Sequence, residues 1–338
     1  MLPNDEQNRS WTEIQLPKDH SKEQRVIGSL ITLDTQDDSI SILGNVFIIR
    51  AQDDTAICIG ASHSFEKAKY IQESRKAIGN NLIAPDFRFK GPEYIDTSKI
   101  KAFFLIDGKP IVCDMGQLNY VANYDVAVFS VHAPEEQKIF PWQSAVDLSV
   151  PIIGEQVAIF ANNIAVLSSA NRMSQISQRL SYRIGVITQV EMGFGQMPGQ
   201  SFYFQTTIPM TAGMSGAPVI RKPRPGQPMI VPGVVSSDFS PNEAFSSFWV
   251  PGSSTASMIW PAMGLALHCT VTSQDGRHMF LGEMVDRKII NDRSEGVSVK
   301  VRQHGEQTQI LYIDDRGLET SKFLLNMPPH PHIDTSGL

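Results

Sequence analysis

Residues 211–220 read TAGMSGAPVI, within the longer stretch QTTIPMTAGMSGAPV at residues 205–219. Gly213 and Gly216 bracket Ser215, and residues 218–220 (PVI) continue at once as an apolar strand. A glycine two positions before the serine lets the backbone bend so that the amides of residues 213 and 215 aim at one oxygen, a conformation easiest without a Cβ. The local plan is therefore strand, tight turn, strand. The bland alternative is an ordinary turn.

The chain around this stretch has the same character. Apolar, β-branched runs recur at residues 26–33, 40–49, 100–106, 126–131 and 156–160, then at 183–190, 201–206, 217–221, 229–236 and 245–250, bounded by Asp, Gly, Asn and Pro. Runs of that length and flanking are strand signals, and a sandwich or barrel follows from their number. Helical patterning is scarce. Residues 65–77 could bring Phe65, Ala68 and Ile71 to one face, and residues 261–267 open on Pro261, which suits a first helical position. Residues 133–142 (APEEQKIFPW) suit a crossing between two units, 168–178 a polar loop, and 221–227 (RKPRPGQ) an exposed hairpin tip. The fold class expected is all-β.

Composition narrows the function. A chain of 338 residues can build one large or two modest cores. With 29 basic and 35 acidic residues and a net charge of -6, it has no polybasic block of the kind nucleic acid or an anionic membrane requires. Three cysteines, Cys58, Cys113 and Cys269, argue against a disulfide-stapled secreted domain. The first 25 residues hold no apolar leader segment, and no later run reaches the roughly 18 apolar residues of a membrane span. A soluble, cytoplasmic setting is expected.

Hydrolysing an amide takes a nucleophile, a base, a group that holds the base in one tautomer, and donors for the oxyanion. His63 ends an apolar strand in residues 56–68 (AICIGASHSFEKA). Asp125 stands before a buried strand in residues 122–131 (ANYDVAVFSV), where an acid is costly to desolvate unless hydrogen-bonded, so a histidine partner would account for it. Each taken singly has a bland reading, as a loop histidine or a solvated turn aspartate.

Taken together, the order His63, Asp125, Ser215 and the AGMSGAPVI segment resemble the chymotrypsin-like (trypsin-fold) serine peptidases, most closely the HtrA/Deg-type branch. Residues 44–49 (GNVFII), 233–236 (GVVS) and 259–261 (IWP) extend the likeness over roughly residues 25–269. The resemblance implies two packed six-stranded antiparallel β-barrels with a short C-terminal helix. Residues 1–24 would form an arm, 25–140 a first barrel with His63 and Asp125, 141–269 a second barrel with Ser215, and 270–338 a partly β extension with a frayed tail. It also implies His63 as general base, Asp125 as its orienting group, Ser215 as nucleophile, and an oxyanion hole from the Gly213 and Ser215 amides. Protein or peptide substrates are expected, with no cofactor and no metal, and with room for a regulatory partner or a homo-oligomer.

Departures from the family pattern matter as well. Residues 25–29 (RVIGS) resemble the activation site of secreted zymogens, yet the family's aspartate before the serine is here Met214, so cleavage at Arg25 is not expected to switch anything on. Residues 209–214 hold no acid, which implies a preference for apolar or small residues, with Met210, Val235, Ser236 and Ser237 as candidate lining. The chain beyond residue 270 is short for the family's peptide-binding PDZ module; residues 297–301 and 309–312 read as a hairpin pair. His330 and His332 lie in a Pro-rich tail without a third ligand. Two rival readings stand: an α/β-hydrolase with Asp286 and His304 completing its triad, and a catalytically silent binding module on the same barrels.

Overall fold

In the computed structural model, the described residues are 26–33, 40–79, 95–106, 109–121, 124–134, 143–168, 174–191, 202–210, 213–221, 228–236, 254–267, 279–304, 307–317 and 319–326. Strand β1 (Ile27–Leu33) is followed by β2 (Ile40–Gln52), β3 (Thr55–Gly60), helix α1 (Ser62–Gly79), β4 (Ile100–Ile106), β5 (Lys109–Val121) and β6 (Val126–His132). The order β1-β2-β3-β6-β5-β4 closes on itself, because β1 pairs antiparallel with β2 on one edge and with β4 on the other. All six residues of β3 are buried, as are six of the seven in β6. That explains why these strands read as continuous apolar runs and not as alternating ones. Phe47, Phe65, Phe104 and Phe129 fill the interior, with Phe65 edge-on to Phe129 at 5.3 Å.

The second barrel repeats the plan. After β7 (Ala145–Val146) come β8 (Gln156–Ser168), β9 (Ser174–Glu191), β10 (Tyr203–Thr206), β11 (Pro218–Arg221), β12 (Ile230–Val231), β13 (Gly233–Ser236) and β14 (Ser254–Met258). Six of these close in the order β10-β14-β13-β11-β8-β9, while β7 and β12 pair in parallel beside them. The all-β double barrel expected from the sequence is the architecture observed.

Several local expectations need correction. Residues 261–267 do not form an α-helix: a 3-10 helix spans Trp260–Gly264 and the chain then becomes strand β15 (Ala266–Leu267), paired with β16 (Met279–Phe280). Every residue from Trp260 to Leu267 is buried, so there is no solvent face to carry a helical stripe. The polar stretch 168–178 is not a loop throughout, since β9 begins at Ser174 and pairs with β8 from Ser168↔Ser174 onward. A two-stranded ribbon holds through backbone bonds and shows little apolar period. The expected strand at 245–250, residues 222–227 of the hairpin tip, most of the 133–142 crossing, Ser237, Cys269 and the tail with His330 and His332 lie outside the described residues.

The extension is part of the packed body. Helix α2 (Leu281–Asp286) leads to a three-stranded antiparallel sheet of β17 (Val297–His304), β18 (Gln307–Asp314) and β19 (Glu319–Asn326), one strand more than the expected pair. Tyr312 is fully buried and stacks on Trp260 at 3.9 Å, donating its hydroxyl to the Trp260 carbonyl at 2.9 Å. Trp260 in turn donates its indole N–H to Leu148 O at 2.8 Å. Val146 exchanges backbone bonds with Asn291 and Arg293, which stitches the extension to the segment leading into β8.

Candidate active site

Asp125 immediately precedes β6 with φ at 50°, a left-handed conformation that Asp adopts more readily than most residues. It is 3% exposed, and burial of a carboxylate is tolerable only when its oxygens are met by donors. They are. Oδ1 accepts from the Ser62 hydroxyl at 3.1 Å and the His63 backbone N–H at 2.9 Å; the His63 ring Nδ1 lies 2.9 Å from Oδ1 and 2.8 Å from Oδ2. The Ser236 hydroxyl donates to Oδ2 from the second barrel. Because α1 begins at Ser62, the amide of His63 is one of the first-turn donors that point out of the helix, so the carboxylate also caps the helix and meets its positive end. A carboxylate can only accept, hence the proton sits on Nδ1 and Nε2 is the basic nitrogen of the ring.

Ser215 lies in the second barrel, in the turn that leads into β11. Gly213 and Gly216 have φ of 91° and 81°. A Cβ on Gly216 would stand 2.1 Å from the Asn45 carbonyl oxygen, so this position admits no other residue. The turn is held by Ala217 N–H to Met214 O at 3.0 Å, Gly216 N–H to Val235 O at 2.8 Å, and Asn45 N–H to Ser215 O at 2.6 Å. Gly44 shows how close the two turns come. A Cβ there would lie 2.6 Å from the Ser64 hydroxyl, the residue after His63, and 2.7 Å from Ser215 O. His63, Asp125 and Ser215 thus converge on one seam, His63 and Asp125 in direct contact and the serine turn packed against the neighbours of His63.

Sequence reading missed Asn45. Its side chain is fully buried; Nδ2 donates to Gly213 O, while Oδ1 accepts from Asn162 N–H at 2.6 Å, and Asn162 Nδ2 donates to Ile27 O at 2.9 Å. The available signal was an asparagine inside the apolar run ILGNVFII, where a polar group has to find partners.

Of the expected pocket lining, Met210 is half-buried against the core, Val235 is fully buried with its backbone bonded to Gly216 and Ala217, and Ser236 directs its hydroxyl to Asp125. Burial pushes the Cys58 thiol well above its usual range and that of Cys113 up to about 12, so neither supplies a thiolate at neutral pH. The α/β-hydrolase reading falls on topology: Ser215 leads into strand β11 instead of a helix, and Asp286 is exposed on α2. Among the described residues no cluster of His, Cys, Asp and Glu is suited to a metal, and no helix is long and apolar enough to cross a membrane.

No protein-family model matches the sequence, and no curated protein matches it either. Among solved structures the chain is similar to the crystal structure of Deg5, with a TM-score of 0.41 and 12% identity over 71% of this chain and 87% of that one. It is also similar to catalytically active tobacco etch virus protease complexed with product, with a TM-score of 0.38 and 10% identity over 72% of this chain and 76% of that one. Independently of those likenesses, the strand order itself, two closed six-stranded antiparallel barrels, is the chymotrypsin-like double-barrel fold.

Proposed function

We propose that this chain is a serine endopeptidase in which Ser215 is the nucleophile, His63 the general base and Asp125 the group that orients His63. The observation that carries the reading is the buried carboxylate of Asp125 on His63 Nδ1 at 2.8 Å, beside a glycine-bracketed serine turn docked on the same seam. In the reaction, Ser215 Oγ attacks the peptide carbonyl carbon as His63 Nε2 takes the hydroxyl proton. The resulting oxyanion is held by the amides of Gly213 and Ser215. His63 returns the proton to the amine as the C–N bond breaks, leaving an acyl-enzyme, and a water molecule repeats the sequence to release the acid.

With no acid in residues 209–214, cleavage after apolar or small residues is the proposed preference, with Met210, Val235 and Ser236 near the pocket and Ser237 following them. Met214 supports an enzyme that needs no cut at Arg25. A cytoplasmic location goes with this reading. Incubation of a peptide library with the native chain and with Ser215→Ala tests the proposal. Cleavage by the native chain alone, after apolar or small residues, is expected; cleavage after Lys or Arg would refute the pocket assignment, and equal cleavage by Ser215→Ala would refute the nucleophile.

A further inference from the structure

We infer that the Asn45 carboxamide is a positioning residue for the oxyanion-binding turn, holding the Gly213–Met214 peptide plane that stands between the Gly213 and Ser215 amides. The inference rests on the hydrolase reading above. The turn from Gly213 to Gly216 contains three consecutive peptide planes. The Met214–Ser215 plane, which bears the Ser215 N–H, is held by the Ala217 N–H on Met214 O at 3.0 Å. The Ser215–Gly216 plane is held from both sides, by Asn45 N–H on Ser215 O at 2.6 Å and by Val235 O on Gly216 N–H at 2.8 Å. The Gly213–Met214 plane receives its donor from Asn45 Nδ2.

That plane adjoins the residue with the most rotational freedom in the turn. Gly213 has φ at 91°, a left-handed conformation that glycine adopts without a Cβ penalty. The Gly213 N–H lies on the preceding peptide plane and the Ser215 N–H on the following one, so the held plane sets the angle between the two amides expected to bind the oxyanion, and such amides act only when already aimed. The carboxamide is in turn fixed. Its orientation admits no flip, since Gly213 O can only accept and Asn162 N–H can only donate. Through Asn162 Nδ2 on Ile27 O at 2.9 Å the tie reaches back into β1, so both barrels set the aim of the turn.

The test uses the full chain and a fluorophosphonate probe, with labelling resolved into a limiting rate constant and an apparent binding constant. Asn45→Asp keeps the volume and the acceptor but puts an oxygen against Gly213 O; Asn45→Ala removes the tie without adding a charge. We expect the limiting rate constant to fall on the order of 10²-fold in both, more in Asn45→Asp, with the binding constant within about threefold. Tyr312→Phe, in the C-terminal sheet, serves as a stability control and should label at the native rate. The inference is overturned if either folded Asn45 variant labels within about threefold of the native limiting rate, if the loss lies in the binding constant, or if Tyr312→Phe reproduces it. A native chain that takes no label at all contradicts the hydrolase reading itself; one that labels normally while the Asn45 variants match it contradicts this inference alone.

Discussion

Ser236, at the end of β13 in the second barrel, donates its hydroxyl to the carboxylate of Asp125 in the first, 111 residues earlier in the chain. The carboxylate is therefore a meeting point of both barrels as well as the partner of His63. Its role and its structural load can be separated. Asp125→Asn should keep the fold, because Asn also accepts a φ near 50°, but it presents an amide that no longer requires the proton on Nδ1. We expect labelling and hydrolysis to fall by roughly 10³–10⁴ with the wrong tautomer selected. Ser236→Ala, which removes one donor of several, should cost about 1–2 kcal/mol of stability with a far smaller rate loss. Circular dichroism and stopped labelling assays check both, and a near-native rate in Asp125→Asn would contradict the assignment.

How much of this was legible beforehand depends on the range of the interaction. Ser215 and its glycines were readable because turn chemistry is local, and Asp125 was readable because an acid at the mouth of a buried strand demands a partner. Asn45 was not read: its place inside the apolar run of residues 42–49 signals a polar group in need of partners, but its partner Gly213 lies 168 residues away and nothing local names it. The run from Trp260 to Leu267 was misread as a helix because uniform burial erases periodicity, leaving Pro261 as the only cue. β9 was cut short for the opposite reason, as its first residues are polar and pair through their backbone.

The ion pair beneath β11 carries a pH signature. Asp147 is 2% exposed, with its carboxyl pushed above the usual range by burial, an effect that Arg221, with Nε 2.7 Å away, opposes. A carboxyl whose folded value is raised contributes stability that is present at low pH and lost as pH rises through that value. Arg221→Met should therefore cost about 3 kcal/mol at pH 7, where Asp147 is left charged with the Ser149 N–H but without its cation, and progressively less as the carboxyl takes up its proton on acidification. Urea unfolding across that range reads it directly; a deficit that is constant or grows toward acid would contradict the pairing.

The C-terminal sheet is predicted to be indispensable to the packed body. Tyr312, on β18, is fully buried against Trp260, so Tyr312→Ala should cost about 3–5 kcal/mol. Tyr312→Phe, which strands only the Trp260 carbonyl, should cost about 1–2 kcal/mol. Equal, negligible losses in the two variants would show the extension to be dispensable.

The central claim is that Ser215 is a nucleophile activated by His63. Mass spectrometry of the chain after fluorophosphonate treatment tests it most directly, comparing the native protein with Ser215→Ala and His63→Ala. We expect one phosphonyl adduct on the peptide containing Ser215 in the native chain, none in Ser215→Ala, and strongly slowed addition in His63→Ala. An adduct on another residue, or a native chain that resists labelling as fully as Ser215→Ala, would contradict it.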